Sequence, residues 1–470
     1  MTDATSETLH IAIIGSGSGA FACAIRAAEL GARVTMVERG EVIGGTCVNV
    51  GCVPSKIMIR TAQLAHDRRH VPFEGLNTAE ADIDPLRLMQ QRERRVAELR
   101  QNKYQRIIDE QDAITLLRGD AWFDGPKSLT VRTDHGDQHI APDRILIASG
   151  ASPAIPGIKG LPGTPFWTST QAMRSGECPP RLIIIGGSVV AVEQAQAFAR
   201  LGSQVTMLVR SRLLSSEDPA LGDGLCVYLR GEGIDVCLDT TASSIAHDGA
   251  LFTVNVGDEA LVAERLLIAT GRRPNTEVLR LGAAGVESDR TGAILVDERL
   301  RTSAPDIYAT GDCTTLPQFV YVAAAGGTRA AGAMHGIAST LDLSAMPAVI
   351  FTDPQVATVG LSETQAEQQG LEVDSRRLEM DQVPRALANF DERGFIKLVI
   401  DAESRVLIGA QILAPEAGEI IQIAALAISQ RLTVEQLAGM LFPYLVYAEA
   451  IKLCAQTFQR DVSQLSCCAG

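Results

Sequence analysis

Short aliphatic runs separated by glycine-rich turns set the rhythm of the first two thirds of the chain. Residues 11–14 form an unbroken apolar run, as a strand buried on both faces requires, and Gly15-Ser16-Gly17-Ser18-Gly19-Ala20 follows it. Residues 21–30 then read as a helix and residues 34–37 as a second strand ending at Glu38. Strand, glycine turn, helix and an acid about twenty residues on make a dinucleotide-binding unit. In it Gly15 makes the turn, Gly17 lets a pyrophosphate approach, Ala20 packs closely and Glu38 meets a ribose hydroxyl.

The pattern recurs. Residues 181–185 are a strand, Gly186-Gly187-Ser188-Val189-Val190-Ala191 opens a helix over 192–201, and residues 205–209 are the next strand. Ser188 stands where the middle glycine is expected. Arg210, with Arg212 close behind, stands where an acid would meet an unphosphorylated ribose. Guanidinium groups there pair with a 2'-phosphate, which favours NADPH over NADH; the plainer alternative is that both arginines decorate a loop.

Between and after the two units the pattern predicts helices over 57–69 and 85–111, the second charged and carrying Arg100, Lys103 and Tyr104. Alternation over 116–123 and 129–135 predicts a small antiparallel excursion. A central strand over 144–150 ends at Gly150, and Pro153, Pro156, Pro162 and Pro165 mark a boundary. Residues 261–270 read as a strand running into Gly271-Arg272-Arg273-Pro274-Asn275. Residues 307–313 form another strand, and there Asp312 is placed to accept a ribityl hydroxyl. Beyond Pro347 no glycine fingerprint occurs. Strands over 349–359, 376–380, 394–400 and 405–412, with helices over 417–429 and 433–440, predict a mainly antiparallel sheet whose apolar faces suit a dimer interface.

The fold class expected is therefore α/β, with two Rossmann-like three-layer domains, one for FAD and one for NAD(P), and a C-terminal α+β dimerisation domain. The boundaries expected are 1–165 and 291–347 for the two parts of the FAD domain, 166–290 for the NADPH domain and 348–470 for the last. Composition agrees: 46% hydrophobic residues, 42 glycines and 4% aromatics suit packed α/β layers in a chain of 470 residues. A formal charge of -14 disfavours nucleic acid and anionic membrane surfaces as partners. No apolar run approaches a membrane span and no secretory signal opens the chain, so a soluble protein of a reducing cytoplasm is expected.

Ten cysteines are too dilute for a disulfide scaffold, and two pairs among them point to chemistry. Cys47 and Cys52 lie behind Gly44-Gly45-Thr46 and ahead of Pro54-Ser55-Lys56. Folded back through Gly51, the two sulfurs come within disulfide reach, and a helix starting near Pro54 leaves Cys52 at a terminus that favours a thiolate. That describes a redox pair, against the alternative of a stabilising disulfide. Lys56, one turn on, offers a charge to a reduced flavin, and Glu193 orients it if the second unit packs on the first. Cys467 and Cys468, adjacent in the tail, make a soft-metal pair or an idle terminus.

Through GGTCVNVGCVPSK, IASG, GGSVVAVE, ATGRRPN and ATGDC, essentially the whole chain resembles the flavin disulfide oxidoreductases of the glutathione reductase and dihydrolipoyl dehydrogenase family. The resemblance implies FAD and NADPH as cofactors. It adds Gly45, Thr46, Gly150 and Gly271 to the cofactor-binding residues already named. Within the family, Cys47-Val-Asn-Val-Gly-Cys52, Phe442-Pro443-Tyr444 and the terminal Leu-Ser-Cys-Cys-Ala-Gly resemble the mercury-reducing members. Disulfide reductases of the family carry a histidine five residues before a glutamate near the C-terminus; here Tyr444 stands five residues before Glu449.

By this resemblance Cys52 is the thiolate in contact with the flavin, Cys47 the outer thiol, and Tyr104 and Tyr444 line the inner metal site. Cys467 and Cys468 of the partner subunit deliver Hg(II) from thiol complexes to Cys47 and Cys52, which makes a homodimer obligatory. Many such enzymes begin with a small metal-binding domain carrying GMTCxxC, whereas this chain starts almost directly at the FAD strand, so Hg(II) is expected to arrive as a small-thiol complex or from another carrier. The rivals are reduction of an organic disulfide, disfavoured because a tyrosine with a pKa of about 10 is a poor acid-base group at neutral pH, and metal sequestration around an inert flavin domain.

Overall fold

A computed structural model describes residues 8–460. Cys467 and Cys468 lie outside the described residues. The first sheet has five parallel strands in the order Ile307–Ala309, Arg144–Ile147, His10–Ile14, Arg33–Glu38, Ile114–Arg118. Successive residues of its middle strand face opposite layers. Ile11 and Ile13 pack on helices Ser18–Glu29 and Val320–Met334, while Ala12 and Ile14 pack toward an antiparallel sheet of Asp120–Gly125, Ser128–Thr133 and Gly136–Ile140. Burial on both faces is why the run is continuously apolar.

The second parallel sheet orders Asp235–Cys237, Gln204–Leu208, Arg181–Ile185 and Arg265–Ile268. Leu182 and Ile184 face helix Val189–Arg200; Ile183 and Ile185 face the antiparallel strands Ser244–His247, Phe252–Val256 and Glu259–Ala263. The C-terminal five-stranded sheet is antiparallel throughout and packs on helix Ala417–Ser429. Among the described residues no helix is long and apolar enough to cross a membrane.

Four segments differ from the expected elements. The alternation over 116–123 belongs to two strands in two sheets, parted at Gly119, where a Cβ would lie 2.3 Å from the Arg132 carbonyl oxygen. Residues 261–270 likewise divide, because Glu264 leaves the strand line and takes both the backbone N–H and the guanidinium of Arg181, at 2.9 and 2.7 Å. The single strand expected over 349–359 is a hairpin, Ala348–Ile350 and Gln355–Gly360. The helix expected over 85–111 is α-helical over Pro85–Arg100, makes one π-helical turn at Gln101–Gln105, and resumes at Arg106–Glu110.

Candidate active site

Cys47 lies on the short helix Gly45–Asn49, and Cys52 is the first residue of helix Cys52–Arg69. Gly51 joins them, and a Cβ on it would approach the Thr46 carbonyl oxygen at 3.0 Å and the Cys47 Cα at 3.4 Å. A side chain on Gly51 would have to push this turn open by a few tenths of an ångström. Asn49 holds the short helix from beneath, donating to the carbonyls of Ile43 and Gly45 at 2.8 Å each, while Arg100 donates to its amide oxygen at 2.9 Å.

The two sulfurs behave as one unit. A hydrogen bond from Cys47 favours the Cys52 thiolate and lowers its pKa to about 7 against the opposing effect of burial, with the Lys56 ammonium helping. The same hydrogen bond, reinforced by burial, drives Cys47 upward, so it keeps its proton. A thiolate at a helix N-terminus beside a cation is the form that attacks disulfides and binds soft metals. Tyr104 sits in the π turn, edge-on to Phe21 at 4.9 Å, and burial raises its phenol despite a Ser18 hydrogen bond. It feels both sulfurs, and the bare Gly44 leaves it room: a Cβ there would lie 3.4 Å from its ring. Single π turns inside α-helices recur at functional sites.

Gly15, Gly17 and Gly45 form a cradle beside this pair. A Cβ on Gly15 (φ +114°) would meet the Ala148 carbonyl oxygen at 2.3 Å, and one on Gly45 (φ +67°) would meet the Gly17 Cα at 2.6 Å. Gly17 is different. Its φ of -78° suits any residue, and a Cβ on it would make only an ordinary 3.9 Å contact. Nothing in the chain demands glycine there, and the bare backbone leaves room for a ligand to lie against it. The adjoining strand end turns at Gly150 (φ +68°), beside Ser149. Glu38 closes the next strand, accepting from Ser16 Oγ at 2.5 Å and Gly40 N–H at 2.6 Å. A bare backbone and a strand-end carboxylate fit the pyrophosphate and ribose of FAD. Ala20 is fully buried, but the tightest packing against helix Val320–Met334 is at Gly19, whose carbonyl oxygen a Cβ on Gly327 would meet at 2.1 Å.

Asp312 is raised by burial and held by Arg272, whose Nε lies 3.4 Å from it. Arg272 also reaches Thr46 Oγ1 at 3.5 Å and the Ala151 carbonyl, tying the strand end after Gly271 to the cysteine segment. The ATGRRPN motif signalled this arginine; its partners, 121 and 226 residues away, were invisible in the sequence.

In the second unit Gly186 (φ +140°) stands where Gly15 does, 2.2 Å from the Ala269 carbonyl oxygen for an added Cβ, and Ala191 is fully buried. Ser188 holds the helix N-cap. Arg210 is exposed and makes no hydrogen bond or ion pair among the described residues, whereas Arg212 donates to the carbonyls of Ser215 and Glu217 at 3.2 and 3.4 Å. Glu193, only 5% exposed, takes the Lys56 ammonium at 2.8 and 2.9 Å, so the second unit does pack on the cysteine helix.

The structure does not gather every candidate into this chain's own site. Tyr444, half exposed, lies in the loop before helix Glu449–Gln456, and Glu449 is buried at that helix's start. Among the described residues no three His, Cys, Asp or Glu side chains form a metal cluster.

The family profile for pyridine nucleotide-disulphide oxidoreductases matches residues 9–327, and that for the dimerisation domain of the same family matches residues 346–455. The chain is 57% identical to a mercuric reductase of Acidithiobacillus ferrooxidans over 99% of this chain and 85% of that protein. It is 45% identical to a mercuric reductase of Streptomyces lividans over 98% of each. Among solved structures, the copper(II) complex of the HOCl-induced flavoprotein disulfide reductase RclA from Escherichia coli superposes with a TM-score of 0.87 at 30% identity, over 96% of this chain and all of that one.

Proposed function

The chain belongs to the pyridine nucleotide-disulphide oxidoreductase family, and from that premise we propose that it is a mercury(II) reductase: NADPH reduces Hg(II), presented as a thiol complex, to elemental mercury. Bound FAD supplies the two-electron relay between the nicotinamide and the dithiol. The protein's residues do the rest. The Cys52 thiolate and then Cys47 displace the two thiolate ligands of the incoming Hg(II); Cys47 gives up its proton, and one leaving thiolate carries it away. The net reaction balances as Hg(SR)2 + NADPH + H+ giving Hg(0), NADP+ and two RSH. No general acid is required at the metal, because a thiolate leaving mercury needs little protonation.

The observation that carries the reading is a Cys52 thiolate stabilised by Cys47 and Lys56, with Tyr444 standing five residues before Glu449. Disulfide exchange needs an acid to protonate the departing thiol, and Tyr444 in the histidine's place removes it. We assign Tyr104 and Tyr444 to the lining of the inner metal site, and Cys467 and Cys468 of the partner subunit to delivery. Glu449 is kept as a catalytic candidate behind Tyr444. The chain works as a homodimer through its dimerisation domain. We place its parts as 1–165 and 291–347 for FAD, 166–290 for NADPH and 348–470 for the interface. A reducing cytoplasm suits a reaction that consumes NADPH and depends on free thiols.

The test is anaerobic: HgCl2 in excess small thiol, with NADPH, should give mercury-dependent NADPH oxidation and volatile Hg(0). Turnover of lipoamide or glutathione disulfide without mercury turnover would replace this reading with organic disulfide reduction. Stoichiometric mercury binding without flavin reduction would replace it with sequestration.

A further inference from the structure

The hairpin that replaces the expected strand over 349–359 leaves a loop, residues 351–354, lying along helix Val189–Arg200. Three residues on one face of that helix grip it. Glu193 accepts the Phe351 N–H at 2.9 Å. Gln196 accepts the Asp353 N–H at 2.8 Å and donates to the Asp353 carbonyl at 2.7 Å. Arg200 donates to the Asp353 carboxylate at 2.7 Å, and Arg393 clamps the same carboxylate at 2.8 Å. Arg200 and Asp353 are buried enough that breaking one partner strands the other's charge, so the loop has one register on the helix.

That register sets down the Phe351 ring beside Lys56, with Nζ 4.4 Å from the ring centroid, while Glu193 holds the same ammonium at 2.8 Å and the Phe351 backbone at 2.9 Å. A four-carbon stem bearing a point charge has many rotamers, and this one is confined by a carboxylate and an aromatic face. We infer that Phe351, carried by the C-terminal unit, is a positioning residue that fixes the Lys56 ammonium for its work at the flavin. The inference rests on the reading of Lys56 given above. The other titratable groups near that ammonium are Cys52 on its own helix, Cys47 on the helix before and Glu193 on the nucleotide unit, with Tyr104 near the sulfurs from the π turn.

The experiment uses FAD-loaded, full-length protein carrying Cys47→Ser, so that the flavin is the only two-electron centre, equilibrated with a reference redox dye. Phe351→Leu should shift the flavin toward its oxidised form by about twofold, within the range of a partly exposed cation-π contact. Phe351→Tyr should restore the parent value. In a Lys56→Met background, itself shifted further, Phe351→Leu should add nothing. An unshifted Phe351→Leu, or the same shift persisting without Lys56, overturns the role of Phe351 alone. No shift on Lys56→Met overturns the assignment of Lys56 to the flavin, and this inference with it.

Discussion

The glycine turn at residues 15–20 and the one at residues 186–191 share a backbone and differ in what lies against it. Gly17 and Ser188 cap their helices at nearly the same angles, φ -78° and ψ -175° against φ -90° and ψ -178°. Gly15 and Gly186 each press a neighbouring strand's carbonyl, where a Cβ would come within 2.3 and 2.2 Å. But Gly45, from the cysteine segment, closes on Gly17, and no glycine closes on Ser188 in that way. The first turn is locked to the redox pair. The second instead uses its helix, through Glu193, Gln196 and Arg200, to hold the cysteine helix and the C-terminal loop. One turn is packed into the cysteine segment, and the other is left open while its helix does the holding.

The largest effect should come from closing the first turn. Gly45→Ala forces a side chain into a left-handed backbone and against Gly17, at a cost of about 2–4 kcal/mol, and the purified protein should lack flavin. Gly17→Ala separates the two causes. Its backbone and surroundings accept a methyl group, so the unfolding free energy should change by no more than about 1 kcal/mol, while FAD affinity should fall at least about tenfold if the methyl takes the space of the pyrophosphate. Equal damage to stability and to flavin binding in Gly17→Ala would mean that glycine is there for packing after all.

Next in size is the contrast between strand ends, Glu38 in the first unit and Arg210 in the second. Arg210→Ala should raise the KM for NADPH by about 10–100-fold, as the loss of a charge-assisted bond to phosphate predicts, and leave NADH unchanged. Arg212→Ala should cost less than about threefold, because its guanidinium already serves the carbonyls of Ser215 and Glu217. Equal losses with the two coenzymes would remove the 2'-phosphate from the argument.

These turns were legible because their signal is local. An apolar run, glycines at fixed spacing and a charged strand end all lie within about thirty residues. Lys56 and Glu193, 137 residues apart, were also legible as a pair, because each sat in a motif that already implied a neighbour. The rest was hidden for a physical reason. Nothing in Gln101–Gln105 announces a π turn, because the turn answers to the packing of Tyr104 over Gly44 and Phe21. Apolar residues stand on both sides of Gly119 and Glu264, Leu116 and Leu117 before Ala121 to Phe123, and Leu261 to Ala263 before Leu266 to Ile268, so the pattern does not mark where two sheets meet. Phe351 on Glu193, and Arg272 on Thr46 and Ala151, act across more than a hundred residues, and periodicity carries no information at that range.

The first turn has a thiolate at its mouth and the second has none, and pH should expose that. With Cys52 at about 7 and Cys47 protonated, alkylation of the reduced protein should be confined to Cys52, level above pH 7 and fall tenfold per unit below it. The sign follows from the lowered pKa: acid removes the reactive form. Cys178, Cys226 and Cys237 of the nucleotide unit, all raised by burial, should react only at alkaline pH. Peptide mapping after alkylation at pH 6 and pH 8 would decide it. Reaction at Cys47 first would invert the assignment of inner and outer sulfur.

The smallest effect is the one that tests the comparison itself. Ser188→Gly completes the glycine pattern of the second turn, and if the pattern alone governed binding it should tighten NADPH. The structure argues otherwise. Ser188 makes no capping bond with its side chain, so its loss costs only a few tenths of a kcal/mol, about the difference between serine and glycine at that position. No backbone presses on it as Gly45 presses on Gly17. The KM for NADPH and the thermal midpoint should therefore both stay within about twofold and a degree or two of the parent. A tenfold tightening would mean that Oγ crowds the pyrophosphate, and that the two turns differ by one inherited side chain and not by what is packed against them.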